Sequence, residues 1–122
     1  MVEKSKTRQA IESLYQGICT ITSRESYFDE VTKQTKFREV ETVKDEPCRL
    51  SFSALTTVLQ KQGASATTQA VKLFIAPEII IAPGSKITVT QNNRTCEYSQ
   101  SGEVALYSSH QEIKLELWQK WA

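Results

Sequence analysis

The second half of the chain alternates hydrophobic and polar residues over short stretches, which is the pattern of half-buried β-strands. Three such stretches, rich in β-branched and aromatic residues, lie at residues 86–89, 94–99 and 104–107. Asn92 and Asn93 stand between the first two and suit a tight hairpin turn, because asparagine tolerates a positive φ. The pattern predicts an antiparallel sheet that curls into a small β-barrel.

The last hydrophobic stretch is compatible with two structures. Ile113, Leu115 and Leu117 alternate with charged residues, which predicts a strand. Ile113, Leu117 and Trp121 also lie at helical spacing. We favour the strand, because it would complete a closed sheet and remove an exposed edge. Trp118 and Trp121 then lie at or beyond its end, either as a packing clamp or as an anchor for a partner chain.

The first half of the chain begins with a helical pattern and continues with strands. Residues 4–15 carry an apolar stripe at helical spacing, with Ser5 as the predicted N-cap and Gly17 as the stop signal. Strands are predicted at residues 18–26, 37–43, 48–52 and 71–75. The polar residues 27–36 indicate a hairpin tip or an extended loop. Pro47 is expected to end a strand, because proline lacks the N–H donor that a central ladder needs.

We therefore expect one mainly β domain: a small antiparallel β-barrel at residues 17–122, a short N-terminal α-helix within an arm at residues 1–16, and a long mobile loop at residues 53–70. The loop prediction depends on composition. After Lys61 this stretch contains only Gly, Ala, Ser, Thr and Gln, which bury little on folding. Long loops inside a domain are often functional, although a tolerated surface insertion would have the same composition.

Composition and charge argue against several classes of protein. The hydrophobic share of 39% and the charged share of 24% suit a folded domain with a solvated surface. A net charge of +1 gives no general attraction to nucleic acid or to an anionic membrane. No stretch approaches the roughly 18 apolar residues of a membrane span, and the N-terminus lacks the apolar run of a signal peptide. We expect a chain made and kept in a cytoplasm, without a membrane partner.

The cysteines and the histidine give no sign of a reaction centre. Cys19, Cys48 and Cys96 form no Cys-x-x-Cys pair, and we expect three buried structural thiols. His110 is the chain's single histidine, and Ser108, Ser109 and Glu112 lie near it in sequence.

Neighbours on an extended strand point to opposite faces, so we predict no Ser-His-acid site around His110. The residue is instead assigned a structural or interface role. Neither a Gly-x-Ser-x-Gly elbow nor a phosphate-binding glycine motif occurs in the sequence. We expect no enzyme activity, no metal and no cofactor.

A nucleic-acid-binding barrel is the main alternative from another functional class. An OB-like module for single-stranded nucleic acid would need a basic sheet face with exposed aromatic residues. The candidate aromatic residues are Tyr27, Phe28, Phe37, Tyr98 and Tyr107. Acidic residues offset the basic residues near them, which counts against this alternative.

Five short motifs follow one another through the predicted barrel. They are Pro-Cys-Arg-Leu-Ser-Phe, Lys-Leu-Phe-Ile-Ala-Pro, Ile-x-Pro-Gly-Ser-Lys-Ile-x-Val, Cys-Glu-Tyr and Tyr-Ser-Ser-His-Gln-Glu-Ile-x-Leu-Glu-Leu. Over roughly residues 18–122 the chain resembles the head–tail connector proteins of tailed bacteriophages and prophages. More narrowly, it is similar to the small stopper or head-completion proteins encoded between portal and tail-tube genes. Phage-tail-like bacteriocin particles carry such proteins too.

The resemblance implies a virion structural protein of the neck or collar, assembled in the bacterial host cytoplasm. It implies a ring, a hexamer or a dodecamer, with a portal or adaptor ring above it and a tail terminator or tail tube below. In stopper proteins a loop projects into the channel and helps to hold packaged DNA, which implies transient contact with DNA. That loop corresponds here to Leu59, Gln60, Lys61, Gln62, Gly63, Ala64, Ser65, Ala66, Thr67, Thr68 and Gln69.

A nearly uncharged loop can close a channel by steric means. Lys61 is the one charged residue of residues 59–69, so the loop has little electrostatic grip on DNA that would slow its release. For contacts with neighbouring chains we expect Tyr15, His110, Trp118 and Trp121 to contribute.

Overall fold

A computed structural model describes residues 5–59 and 64–121, with the side chains of residues 5–53 and 70–121. In this part of the chain, one helix, α1 (Lys6–Glu12), precedes seven strands. The strands are β1 (Gly17–Asp29), β2 (Gln34–Leu59), β3 (Ala64–Ile75), β4 (Lys86–Gln91), β5 (Arg94–Gln100), β6 (Ala105–Leu106) and β7 (Gln111–Leu117). The prediction of a mainly β chain with a short N-terminal helix is confirmed.

Six of the strands are hydrogen-bonded in a closed circuit. β1 pairs with β2 and β4, β2 pairs with β3, β3 with β7, β7 with β5, and β5 with β4, all antiparallel. The short β6 adds to β7 outside this circuit. β7 closes the ring, with Ile113 opposite Leu73 of β3 and Leu117 opposite Tyr98 of β5. The last hydrophobic stretch is therefore a strand, as its alternation favoured.

The core lies inside the ring and draws side chains from all six of its strands. The buried cluster consists of Cys19, Ile21, Cys48, Leu50, Leu73, Ile75, Ile87, Val89, Tyr98, Ile113 and Leu115. All three thiols are free. Cys19 and Cys48 are core residues, as expected, whereas Cys96 is half-buried against the cluster.

The N-terminal helix is shorter than predicted. Ser5 caps it, as expected, by accepting a hydrogen bond from the Arg8 amide at 3.1 Å, but the helix ends at Glu12 and not at Tyr15. Gly17 instead opens β1 and is buried. A Cβ atom there would lie 3.1 Å from the Thr90 carbonyl oxygen, a tight contact that glycine avoids where the two strands approach each other.

The expected strand break at Pro47 is also wrong. β2 continues through Pro47, which lies opposite Ile18. β3 pairs with β2 only from Cys48 onward, so Pro47 occupies an edge position where proline is tolerated. The irregularity comes slightly earlier, where the β1–β2 register shifts twice and Asp45 adopts a φ of 51°. Such bulges bend a long strand pair, which helps the sheet to close.

Two paired segments extend beyond the ring, and we call them ribbon 1 and ribbon 2. Ribbon 1 comprises residues 23–29 of β1 and 34–40 of β2, since β4 pairs with β1 only as far as Thr22. The predicted hairpin tip at residues 27–36 is thus confined to the four residues between Asp29 and Gln34.

Ribbon 2 replaces most of the predicted long loop. Residues 53–59 of β2 pair with residues 64–70 of β3, from Ser53 opposite Ala70 to Leu59 opposite Ala64. A loop over residues 53–70 is therefore wrong for these fourteen positions, while residues 60–63 lie outside the described part. The composition of residues 53–70 indicates little side-chain burial, but burial is only one of the contributions that stabilise a strand pair. A hairpin ladder instead satisfies the backbone groups directly, and threonine and valine suit its extended conformation.

Candidate functional site

The four predicted contact residues lie in two separate groups. Tyr15 and His110 line one small pocket beside α1. Trp118 and Trp121 contact each other beyond the end of β7, with ring centroids 4.7 Å apart. The two tryptophans were already considered together from the sequence, whereas Tyr15 and His110 are far apart in the chain and meet only through the fold.

His110 lies at the centre of a polar network. Its Nδ1 is 2.9 Å from the Ser109 hydroxyl, and its Nε2 is 3.0 Å from the Glu112 carboxylate. Lys72 of β3 extends the network, with its ammonium 3.6 Å from the same Glu112 side chain. Sequence reasoning predicted that these neighbours would point apart, and that prediction is wrong. Ser109 and His110 precede β7, which begins at Gln111, so strand alternation does not apply to them.

The network resembles a nucleophile, base and acid in the order of its contacts, but its serine is poorly placed to meet a substrate. Ser109 is only 8% exposed. Its hydroxyl therefore fixes the imidazole ring, and Glu112 fixes the ring from the other side. This arrangement gives His110 a single orientation, as a structural or contact residue requires. The absence of enzyme activity stays a prediction.

Aromatic contacts add to the rigidity of this surface. The Tyr107 ring stacks on His110 with a centroid distance of 4.9 Å and an interplanar angle of 15°. Phe74 of β3 meets the imidazole edge-on at 5.5 Å, and the Arg49 guanidinium lies 5.9 Å from the Phe74 ring. Tyr107 remains half exposed. A preorganised aromatic patch of this kind loses little side-chain entropy when it meets a partner.

Helix α1 is fastened beside this patch by charge. Arg8 forms ion pairs with Glu12 in the helix and with Glu78 in the segment after β3. The Arg8 guanidinium holds the pKa of Glu78 below its ordinary value. Below the helix, the pocket of about 150 Å³ is lined by Ile11, Leu14, Tyr15, Arg49, Phe74 and His110.

The Tyr15 side chain closes this pocket. Its hydroxyl is buried and has no hydrogen-bond partner within the described part of the chain. Burial, the largest influence, raises the pKa of Tyr15 to about 12, so the phenol stays neutral.

The two tryptophans clamp the C-terminal segment onto the barrel. Lys86 of β4 lies between them and two acids: its ammonium is 3.2 Å from Glu39 and 3.3 Å from Glu97. The same ammonium lies 5.8 Å and 5.6 Å from the Trp118 and Trp121 ring centroids. Burial lowers the pKa of Lys86, but the two carboxylates outweigh that effect and leave it raised.

The indole N–H of Trp121 completes the clamp by donating to Glu39 at 3.0 Å. Because Glu39 belongs to ribbon 1, the clamp joins the C-terminal segment to the base of that ribbon. Of the two roles open from the sequence, the contacts within the chain fit the packing clamp.

Ribbon 1 has two unlike faces, which the pairing register determines. Arg24, Phe28 and Phe37 lie on one face, where the two phenylalanines are 58% and 57% exposed. The Arg24 guanidinium lies 4.0 Å from the Phe37 ring centroid. The opposite face carries Tyr27 and the ion pairs that join the two strands. These pairs are Arg38 with Glu25 and Lys36 with Asp29.

The aromatic residues proposed for nucleic-acid binding do not share one basic surface. Tyr98 is only 5% exposed in the core, and burial raises its pKa to about 12. Tyr107 stacks on His110, while Tyr27 lies on the acid-paired face of ribbon 1. The OB-like alternative therefore retains only part of its aromatic set.

The predicted gating residues are described only in part, and the described ones lie in ribbon 2. Leu59 and residues 64–69 are in the paired strands, and Gln60, Lys61, Gln62 and Gly63 lie outside the described residues. The channel role of this set stays a prediction. What the structure adds is that most of the set is held by a β-ladder that is continuous with the barrel wall.

Gln91, at the end of β4, ties the root of ribbon 2 to the barrel. Its side-chain Oε1 accepts a hydrogen bond from the Leu50 amide at 2.9 Å, and its Nε2 donates to the Leu50 carbonyl at 3.4 Å. The side chain thereby takes the place of a neighbouring strand, since β1 begins only at Gly17, opposite Cys48. Gly17 leaves the space that the Gln91 side chain occupies, because a Cβ there would approach its Oε1 to 3.2 Å.

Searches for two further kinds of feature found none. Over residues 5–59 and 64–121, no three His, Cys, Asp or Glu side chains are grouped so that they could hold a metal ion. In the same residues no helix is long and apolar enough to cross a membrane.

Comparison with known proteins yields one informative likeness. No protein-family model matches the chain, and a search of curated proteins found no match. Among solved structures, the fold is similar to that of the phage-like element PBSX protein xkdH from Bacillus subtilis, with a TM-score of 0.50. The two sequences are 13% identical, and the match covers 84% of this chain and 95% of that one. At this identity the likeness establishes a shared fold.

Proposed function

We propose that this chain is a structural subunit of a phage or phage-tail-like particle, acting as a head–tail connector of the stopper or collar type. The observation that carries the proposal is the fold likeness to a phage-like element protein, which extends over nearly the whole of both chains. The sequence motifs of the barrel support the same family. The proposal includes a ring of copies between a portal or adaptor and the tail.

The architecture suits a subunit that contacts several neighbours. The closed ring of strands satisfies its own backbone hydrogen bonds, so the barrel is a rigid body without a free edge around most of its wall. Ribbons 1 and 2 include the two ends of β2 and extend beyond the closed ring of strands. Seven residues of strand span roughly 23 Å, enough to contact an adjacent subunit.

Ribbon 2 is the proposed gate. Its tip and flanking positions, residues 59–69, contain one charged residue, Lys61. Several copies converging on a ring axis would close the channel by occupying it, with little electrostatic hold on DNA. A hairpin suits this task better than an unpaired loop, because its β-ladder stiffens the element that must resist the pressure of packaged DNA.

Removal of the chain tests the connector role. A host that produces the particle without this chain is expected to accumulate filled or emptied heads and separate, complete tails that do not join. Complementation with the wild-type chain should restore joined particles. Joined particles of normal yield in its absence would refute the connector role.

Shortening ribbon 2 tests the gate separately. Replacing residues 57–66 by a two-residue Asn-Gly turn would join Thr56 to Thr67, which are paired in the ladder, and keep the register. We expect joined particles that lose their DNA, measured as nuclease-sensitive genome. The matched variant Lys61→Gln keeps the steric block and should retain DNA. Normal retention by the shortened variant would refute gating, and leakage by Lys61→Gln would show that charge holds the DNA.

A further inference from the structure

Ribbon 1 is an element whose own contacts leave it incompletely stabilised. An isolated two-stranded hairpin is at best marginally stable in water. Ribbon 1 has two strands, held by its ladder, by two cross-strand ion pairs and by the stacking of Arg24 on Phe37. On one face of the ribbon, Phe28 and Phe37 are each more than half exposed. Two large apolar rings exposed side by side on one face favour contact with another molecule.

The apolar face continues into a groove at the base of the ribbon. The groove has a volume of about 330 Å³ and is lined by Ser23, Arg24, Phe37, Ala82, Pro83, Gly84, Ser85 and Trp121. Arg24 is the one charged residue of this lining. Its cross-strand neighbour Glu39 is engaged with Lys86 and Trp121, and within the described residues no carboxylate pairs with Arg24.

The tip of the same ribbon carries the complementary groups. Val31 is 92% exposed, more than any other large hydrophobic residue described. Glu30 beside it is exposed, and none of the described side chains pairs with it. The turn is fixed, because the Asp29 side chain accepts a hydrogen bond from the Val31 amide at 2.9 Å and the Asp29 carbonyl accepts one from Lys33 at 2.8 Å.

We propose that the tip of ribbon 1 of one copy docks in the groove at the base of ribbon 1 of the next copy. Val31 would enter the groove against its apolar lining residues, Phe37, Pro83 and Trp121, and Glu30 would pair with Arg24, which has no carboxylate partner among the described residues. A second copy is the occupant that the charges favour, since this chain supplies both an unpaired cation in the groove and an unpaired anion beside an exposed apolar side chain.

Because the tip and the groove are different parts of the chain, the proposed contact is made head to tail, as a heterologous interface, whereas a reciprocal exchange between two copies would close as a dimer and give no ladder. Repetition of such a contact gives a closed ring or an open filament, depending on the rotation between copies. The expectation that repeated contacts close into a ring therefore rests on the proposed function, but the contact itself does not depend on where in a particle that ring lies.

Covalent trapping tests the contact in the full-length chain. Val31→Cys and Ala82→Cys are combined in a Cys96→Ser background, which removes the half-buried native thiol. Mild oxidation should give a ladder of dimers, trimers and larger species on a non-reducing gel. Circular dichroism checks that the variant is folded. The two single-cysteine variants are the controls, and neither is expected to give a ladder. Dimers alone from Val31→Cys would indicate tip-to-tip pairing and overturn the proposal, as would the absence of a ladder from the double variant.

Charge reversal provides the second arm. Adding Arg24→Glu or Glu30→Arg alone should lower the yield of the ladder several-fold, because an attraction becomes a repulsion. Adding both should restore it. Failure of the pair to restore the yield would refute the Glu30–Arg24 contact.

These results are separable from the proposed function. If the ladder forms but particles join normally without the chain, the contact stands and the connector role fails. If particles require the chain but no ladder forms, the connector role stands and this contact is wrong.

Discussion

Gln91 should contribute more to stability than its position at the end of a strand suggests. In Gln91→Ala the Leu50 amide loses its side-chain acceptor, and the Leu50 carbonyl loses a weaker, 3.4 Å donor. Leu50 is 7% exposed, so its backbone is largely shielded from water. An orphaned buried amide costs about 1–3 kcal/mol. A neighbouring groove at the barrel end, lined in part by Leu50 and Gln91, admits water to this site, so we expect about 1–2 kcal/mol.

Urea unfolding followed by tryptophan fluorescence measures this cost. The expected loss corresponds to a fall in Tm of roughly 3–10 °C for a domain of this size. Gln91→Glu keeps the acceptor for the Leu50 amide but faces the Leu50 carbonyl with a carboxylate, so its loss of stability should be smaller at a pH where the carboxyl group is protonated and can donate again. Gln119→Ala, at an exposed position, is the matched control and should stay within about 0.5 kcal/mol of wild type. A loss below about 0.5 kcal/mol for Gln91→Ala would refute the strand-replacing role of the side chain.

Three further outcomes follow from the contacts described. The folded-state pKa of Glu78 is lowered, so its ion pair with α1 stabilises the protein at pH values above the unfolded-state pKa of Glu78 and is lost as the pH falls through its folded-state pKa. NMR should show α1 released on acidification in the wild-type protein, and no such pH-dependent release in Glu78→Gln. Loss of the ion pair should cost at most about 1 kcal/mol of stability. The contact with Cys48, together with burial, raises the pKa of Cys19. A thiol reagent should therefore modify Cys96 in the folded protein, and the buried Cys19 and Cys48 only when the protein unfolds. Rapid reaction of all three cysteines in the folded protein would contradict the burial of Cys19 and Cys48 in the core. Trp121→Phe keeps an aromatic ring but removes the indole donor and part of the ring area, and should cost at least about 0.5–1.5 kcal/mol in the same urea assay, whereas no loss would show that the hydrogen bond to Glu39 adds nothing to the clamp.

The barrel could be predicted from the sequence because its signals are local. Ile113, Leu115 and Leu117 alternate, and all three lie in β7. Asn92 and Asn93 both have positive φ, at 55° and 63°, as their hairpin turn requires. Each of these features depends on residues that are neighbours in the chain, so a pattern a few residues long is sufficient.

Ribbon 2 and the His110 network could not be predicted in the same way. The sequence of residues 53–70 lacks a sustained alternation of hydrophobic and polar residues, and backbone pairing of the kind seen in its ladder leaves no trace in hydrophobicity. The Ser109, His110 and Glu112 contacts depend on the chain turning before β7 begins. The alternation of side chains along a strand was assumed to include Ser109 and His110, but β7 begins only at Gln111.

Prediction of the apolar face of ribbon 1 requires the pairing register of its two strands. Phe28 and Phe37 share a face only because Ser26 lies opposite Phe37 and Phe28 lies opposite Thr35. A shift of one residue would place the two rings on opposite faces. The sequence predicted strands at residues 18–26 and 37–43 but a hairpin tip or extended loop at residues 27–36, so it did not provide the register of the outer part of this ribbon.

Cryo-electron microscopy of the intact particle tests the central claim most directly. The account predicts a closed ring of this chain between the portal or adaptor and the tail, with ribbon 2 directed towards the axis. Density for the chain elsewhere in the particle, or a particle whose neck lacks it, would contradict the account.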